Sequence, residues 1–265
     1  MITQSFIMLP GVNNITEKRI WSQGIRCWDD LLISEQLRGV SKERLSFWKT
    51  RIRHAKTLLE TDNGPRQLAR LLGTRNTWRL FSEAMSNPRF IDIETTEYHN
   101  QITVVGVSDG EFYQAFIKGR NLDGAAVRRA LAGASCIITF NGSSFDLPII
   151  ERNFPGAVPE VPHFDLRHIC AQAGLHGGLK KIERDLQIRR PDCIRETDGA
   201  DAIMLWYRYL FGEEKALQEL IDYNAADVLN MVPLSQRVIH ALWEYERHGT
   251  KLPFTQTIIS DLNNR

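Results

Sequence analysis

The 265-residue chain predicts an α/β protein, a mixed β-sheet flanked by helices and preceded by a small all-helical domain. Three observations carry that prediction. The front third spaces its apolar residues by three and four, the stretch after Arg89 changes to short alternating β-branched runs, and the sign of the charge changes at the same place. Residues 1–89 hold 15 Lys+Arg against 8 Asp+Glu, a net of +7, and the remainder holds 18 against 24, a net of −6. A basic segment suits a polyanionic partner and an acidic one suits a cation site, although a solvated basic helical face gives the same balance.

Helical spacing recurs over residues 15–32, 45–59 and 68–85, separated by turn signals at Pro10-Gly11, Gly39 and Asp62-Asn63-Gly64-Pro65, the last an expected hinge. Ser86-Asn87-Pro88 closes this region, so the helical domain is placed at 1–86. Strands follow at 90–94, 102–107 and 112–117. Asp109-Gly110 between the last two predicts a two-residue type I′ hairpin turn. A helix at 125–134 precedes a short apolar run at 136–140, which reads as a buried strand, then the turn 141–144 and a helix beginning near Asp146. A further strand is expected at 163–166, and helical spacing resumes from Leu179 to about Glu246. The order βββαβα argues for a mixed sheet covered by helices, assigned to 87–246, with 247–265 as a tail.

Apolar residues at 43 % and charged residues at 25 % exclude a disordered or fibrous chain, and no apolar run approaches the roughly 18 residues of a spanning helix. The start, MITQSFIMLP, has neither a basic region nor a small-residue cleavage site, so the expectation is a cytoplasmic protein with no membrane partner. Cys27, Cys136, Cys170 and Cys193 lie far apart without a CxxC pair, which points to buried thiols rather than zinc or disulfides.

The chemistry lies in the carboxylates. In FIDIETT, Asp92 and Glu94 are two apart on a strand, so both project from one face while Ile91 and Ile93 enter the other. Two like charges side by side cost energy unless a cation neutralises them, and hard dications such as Mg²⁺ or Mn²⁺ suit oxygen ligands. An exposed strand end is the alternative. In ITFNGSSFDLPII a strand delivers Asn141 and Phe145-Asp146 opens a helix, where Asp146 is equally an N-cap. In LIDYNAADVLNMV, Tyr223 and Asp227 are i and i+4 on one helix face, a spacing that also serves a plain structural hydrogen bond.

Taken in order, DIET, NGSSFD and YNAAD resemble the three motifs of the DEDD exonucleases, the DnaQ-like branch of the ribonuclease H fold. The tyrosine is that of the DEDDy subgroup, and FIDIETT, TFNGSSFDLPII and YNAADV behind a helical front domain are most similar to the YprB-like ribonuclease H-like proteins. The resemblance covers roughly residues 89–240. It implies a 3′-5′ exonuclease on single-stranded DNA or RNA that releases nucleoside 5′-monophosphates with two divalent metal ions, Mg²⁺ or Mn²⁺. Asp92 would bridge both ions, Glu94 and Asp227 would complete one, and Asp146 would reach the other partly through water. Four carboxylates against two dications sum to zero. Tyr223 is then expected to orient the attacking water, since a phenol near pKa 10 is a poor base at neutral pH. Thr95, Thr96, Asn141 and Phe145 would contact the terminal nucleotide. A catalytically inactive nucleic-acid-binding module and a metal-dependent endonuclease are the competing readings.

Several other features carry two readings each. Asp165 in PHFDLRHI serves either as a carboxylate one layer behind the metals or as a helix cap, and Lys180-Lys181 either touch phosphate or belong to a solvated helix face. Trp206, Tyr207 and Tyr209 at helical spacing read as core, and His99, His168 and His176 have no ligand spacing. The start, with a Pro-Gly turn before a helix and Thr16 as candidate N-cap, is similar to a helix-hairpin-helix element, although Asn13 replaces its second glycine. Lys42, Arg44, Lys49, Arg51, Arg53 and Lys56, interleaved with Phe47 and Trp48, either hold a nucleic-acid strand or merely solvate a helical lid.

Overall fold

The computed structural model describes residues 1–97, 101–194 and 199–254. His99, the side chain of Cys193 and residues 255–265 of the expected tail lie outside the described residues. The chain forms two compact units, one of Met1–Ser86 with Ile239–Leu252 and one built on Asn87–Val238.

The first unit contains the helices α1 (Asn14–Trp21), α2 (Trp28–Ile33), α3 (Lys42–Leu59), α4 (Gly64–Leu72) and α5 (Phe81–Ala84). In α3 the buried residues Leu45, Trp48, Ile52, Ala55 and Leu58 follow the helical period, so Trp48 is core and only Phe47 of that aromatic pair is exposed. Two of the interleaved cations are engaged within the unit: Lys56 pairs with Asp29 at 2.6 Å and Lys49 donates to the Ser34 carbonyl at 2.5 Å. The cap of α1 is Asn13 rather than Thr16. Its side chain accepts from the Thr16 backbone N–H at 2.9 Å and its backbone is extended, because the amide oxygen satisfies an otherwise orphaned donor of the first turn. Periodicity alone ran α1 and α2 together, and the break falls at Ser22–Cys27, where two caps intervene. The expected hinge at 62–65 is instead a packed corner, since a Cβ on buried Gly64 would fall 1.5 Å from the Leu58 carbonyl oxygen.

The second unit holds a five-stranded sheet of β1 (Pro88–Thr95), β2 (Ile102–Ser108), β3 (Tyr113–Ile117), β4 (Cys136–Thr139) and β5 (His163–Asp165), in the order β3-β2-β1-β4-β5. β1, β2 and β3 follow one another through short connections and pair antiparallel. β4 returns beside β1 in parallel after the crossover helix α6 (Gly124–Leu131), and β5 pairs with β4 in parallel after α7 (Asp146–Asn153). The β2–β3 connection is longer than a type I′ turn. Asp109 Oδ1 accepts the N–H groups of Glu111 and Phe112, which folds residues 109–112 into a side-chain-closed loop and starts β3 at Tyr113.

Both faces of this sheet are covered, which is why β2 is buried along its whole length. Ile91, Ile93, Val105 and Val107 pack on one side with Val127, Leu131, Ile149 and Ile150. On the other, Val104 packs with residues of α10 (Gly199–Leu210) and α11 (Glu214–His248), among them Trp206, Leu217, Leu220 and Tyr223. The run of helical spacing after Leu179 is therefore broken. It comprises α9 (Leu179–Asp185), α10 and α11, and follows α8 (Leu166–Gln172). Residues 239–246, placed with the sheet domain by their sequence, belong to the first unit, where Trp243 meets Trp21 and Trp78 edge-on at 6.2 and 6.4 Å between ring centres. No helix among the described residues is long and apolar enough to cross a membrane.

Candidate functional site

β1 alternates as its sequence predicts, with Ile91 and Ile93 in the core and Asp92 and Glu94 on the face toward α11. The register of β1 against β2 shifts between Glu94 and Thr95, so the strand pairing is irregular just beyond the second carboxylate. From α11, Asp227 reaches the same place. Carboxylate oxygens of Asp92, Glu94 and Asp227 all lie within 4.8 Å of one another.

Asp146 occupies the first position of α7, nearly fully buried, and its Oδ1 accepts the Ile93 backbone N–H at 3.0 Å. It stands outside the group of three, but close enough for its charge to act on Asp92. Tyr223 lies one turn before Asp227 on α11, 6 % exposed, with the Lys180 ammonium 4.5 Å from its ring centre.

Electrostatics mark this cluster as frustrated without a cation. Burial, then the charges of Asp146, Asp227 and Glu94, hold the Asp92 carboxyl well above the ordinary carboxylate range. Burial, then Asp227, pushes Glu94 up to about 8, and burial pushes Asp146 up to about 7 against the pull of the Ile93 hydrogen bond. Asp227 is raised by burial and held back by Arg190. The Tyr223 phenol is raised by burial and the neighbouring carboxylates, so it is neutral across the physiological range. Three hard oxygen donors that repel one another at this spacing fit a divalent cation by donor chemistry and by charge.

Four residues that the sequence did not single out complete the site: Asn224, Tyr113, Arg190 and Glu183. Asn224, fully buried, donates through Nδ2 to Asp92 Oδ2 at 2.8 Å and to Glu94 Oε1 at 3.3 Å, while its Oδ1 accepts the Tyr113 hydroxyl at 2.8 Å. Arg190 contacts Asp227 Oδ1 and also binds Glu183, itself buried, at 2.5 and 2.9 Å. A signal for Asn224 existed in Gly106. It stands opposite Asp92 in the middle of β2, and a Cβ there would fall 1.8 Å from Asn224 Oδ1. Arg190, in the aperiodic IRRPD segment, gave no such signal.

The residues expected at the terminal nucleotide are placed differently from one another. Asn141, with a left-handed backbone, lines a cleft of about 520 Å³ together with Asp92, Asp227, Phe140 and Arg167, and its side chain accepts from Arg167 at 2.7 Å. Phe145 packs half-buried against the sheet core. Thr95 ends β1, and the Thr96 N–H donates to the Gln101 carbonyl at 2.9 Å. Asp165 caps α8 and also accepts the N–H groups of Asn141 and Ser143, so it braces the turn that presents Asn141. Lys181 pairs with Asp185 within α9, and Trp206 is core.

A family model described as RNase_H superfamily matches residues 89–239. Comparison with curated proteins and with solved structures gives no match.

Proposed function

Because the chain belongs to the RNase_H superfamily, we propose that it is a metal-dependent 3′-5′ exonuclease of the DEDD type, acting on single-stranded DNA or RNA and releasing nucleoside 5′-monophosphates. The observation that carries this reading is the convergence of Asp92, Glu94 and Asp227 from β1 and α11 within 4.8 Å, with Tyr223 one turn away on the same helix.

Asp92, Glu94 and Asp227 would hold divalent cations, and Asp146 would join them for a second ion. When bound, such cations supply Lewis acidity to the phosphodiester and to its attacking water. The chain's own residues do the rest. Asn224 fixes the orientation of the Asp92 and Glu94 carboxylates through its amide. Tyr223, kept neutral, donates or accepts a hydrogen bond to orient water and does not remove its proton. Asn141 and Arg167, on the rim of the cleft, offer an amide and a guanidinium to the terminal nucleotide and its phosphate.

The test is a 5′-labelled single strand, as DNA and as RNA, incubated with protein and Mg²⁺ or Mn²⁺. Progressive shortening from the 3′ end is expected, a blocked 3′ end should protect, and Asp92→Ala and Asp227→Ala should each lose at least ~100-fold in rate. A circular single strand cut by the wild type would instead identify an endonuclease, and intact substrates with either metal would favour the binding-module reading.

A further inference from the structure

Arg190 is 5 % exposed and is a cation in direct contact with the acidic cluster. Its guanidinium is a bridge. Nε and Nη2 donate to the two oxygens of Glu183 at 2.5 and 2.9 Å, and Nη2 is shared with Asp227 Oδ1. Nη1 is buried with no hydrogen-bond partner among the described residues. Glu183 stands outside the group of three carboxylates, 1 % exposed and further anchored by the Asn230 amide at 3.1 Å.

Arginine keeps its proton in proteins, so Asp227 permanently faces a positive charge that an incoming dication must displace or share. The geometry provides for displacement. If the contact to Asp227 opens, two parallel bonds to Glu183 still hold the guanidinium in a fork-to-carboxylate pair.

Resting on the reading of Asp92, Glu94 and Asp227 as a metal cluster, we propose that Arg190 is that cluster's built-in counter-cation. It neutralises Asp227 in the metal-free protein, and it yields Asp227 to the entering dication while Glu183 retains it. Arg190 is thus a positioning residue that acts through Asp227 and sets the metal concentration at which the site fills. By linkage, whatever favours Arg190 on Asp227 weakens metal binding to the same degree.

Mn²⁺ titrations by calorimetry on wild type, Arg190→Gln, Glu183→Gln and the double variant test this. Arg190→Gln should bind Mn²⁺ at least ~10-fold more tightly, and its metal-free melting temperature should lie below that of wild type with the gap closing at saturating Mn²⁺. Glu183→Gln should bind more weakly, because Arg190 then has only Asp227 to hold, and the Glu183 change should have little effect once Arg190 is gone. Non-additivity of this kind separates exchange from general charge effects, which would add. Arg190→Lys keeps the charge without the fork and should fall between wild type and Arg190→Gln, which preserves the test if the glutamine variant does not fold. Unchanged or weaker Mn²⁺ binding on losing the arginine, or additive effects of the two substitutions, would overturn the proposal. A wild type that takes up no Mn²⁺ would overturn the metal reading beneath it, a distinguishable result.

Discussion

The Asn224 side-chain amide donates to Asp92 Oδ2 at 2.8 Å, and the Tyr113 hydroxyl fixes that amide by donating to its oxygen at 2.8 Å. A neutral donor thus stands between two carboxylates that would otherwise face each other without one. A hydrogen bond to a charged acceptor contributes about 1.5–3 kcal/mol, and tenfold in rate corresponds to about 1.4 kcal/mol. Asn224→Leu is therefore expected to slow hydrolysis of a 5′-labelled strand by roughly tenfold or more. A rate within twofold of wild type would show that the carboxylates are oriented without it.

Gly106 is expected to behave as part of the same unit. Its absent Cβ is what admits Asn224 Oδ1, and it would also fall 3.0 Å from the Tyr113 ring. Gly106→Ala must push Asn224 away from Asp92, at a cost of about 1–3 kcal/mol for overpacking a filled site. Combined with Asn224→Ala, the loss should be smaller than the sum of the two single losses, since the clash partner is then gone. Urea melts on the four proteins measure this, and a strictly additive pair would mean that the crowding lies elsewhere.

Strand alternation made the Asp92/Glu94 pair legible in the sequence, and the i, i+4 spacing did the same for Tyr223 and Asp227, because both periods survive any tertiary context. The sheet was legible for the same reason, down to strand ends that moved by one or two residues. What escaped depended on contacts between distant segments. Arg190 belongs to no periodic pattern, and its partners Glu183 and Asp227 are brought to it by folding alone. Trp48, Lys49 and Lys56 looked like an interleaved nucleic-acid stripe, yet one is core and the other two have partners within their own unit. Composition cannot separate these outcomes.

His163 predicts a pH dependence that is independent of any metal. Burial pushes its imidazole down to about 4, with Nε2 2.8 Å from Thr139 Oγ1 across β4 and β5. The ring is neutral in the folded protein, whereas the unfolded chain takes up a proton near pH 6.5. Between these values the unfolded state binds more protons, so the stability due to His163 is complete above about 6.5 and is lost as pH falls toward about 4. The loss is at most roughly 3.5 kcal/mol, by the 1.4 kcal/mol per pKa unit of linkage. Denaturant midpoints measured across this range should fall less steeply for His163→Gln than for wild type. Parallel curves would place the pH sensitivity in other groups.

In the first unit Glu17 and Arg79 form a salt bridge at 2.9 Å with both side chains buried. The two partners are not equivalent. Glu17 Oε1 also accepts the Ser5 hydroxyl at 2.7 Å and the N–H groups of Phe6 and Ile7 at 2.6 and 3.1 Å, so it closes the chain start onto α1. Among the described residues Arg79 hydrogen-bonds only Glu17 and the Ser5 hydroxyl, and its Nε is buried without a partner there. Removing the glutamate strands a buried cation and the Phe6 backbone donor and leaves the Ile7 N–H a long contact to the Ser5 hydroxyl oxygen at 3.5 Å, and a loss near the upper end of about 3–5 kcal/mol is expected for Glu17→Leu. Arg79→Leu leaves a carboxylate that still has three donors and should cost clearly less. Replacing a buried ion pair by apolar groups is often neutral, but here the double variant should be no more stable than Arg79→Leu, because the Phe6 N–H still lacks the acceptor that Glu17 provided and Ile7 keeps a long contact to Ser5. Trp28, Trp48 and Trp78 lie in this unit, so urea unfolding followed by tryptophan fluorescence reports on it directly. A double variant that regains wild-type stability would show that Glu17 serves Arg79 alone and that the amino-terminal backbone finds other partners.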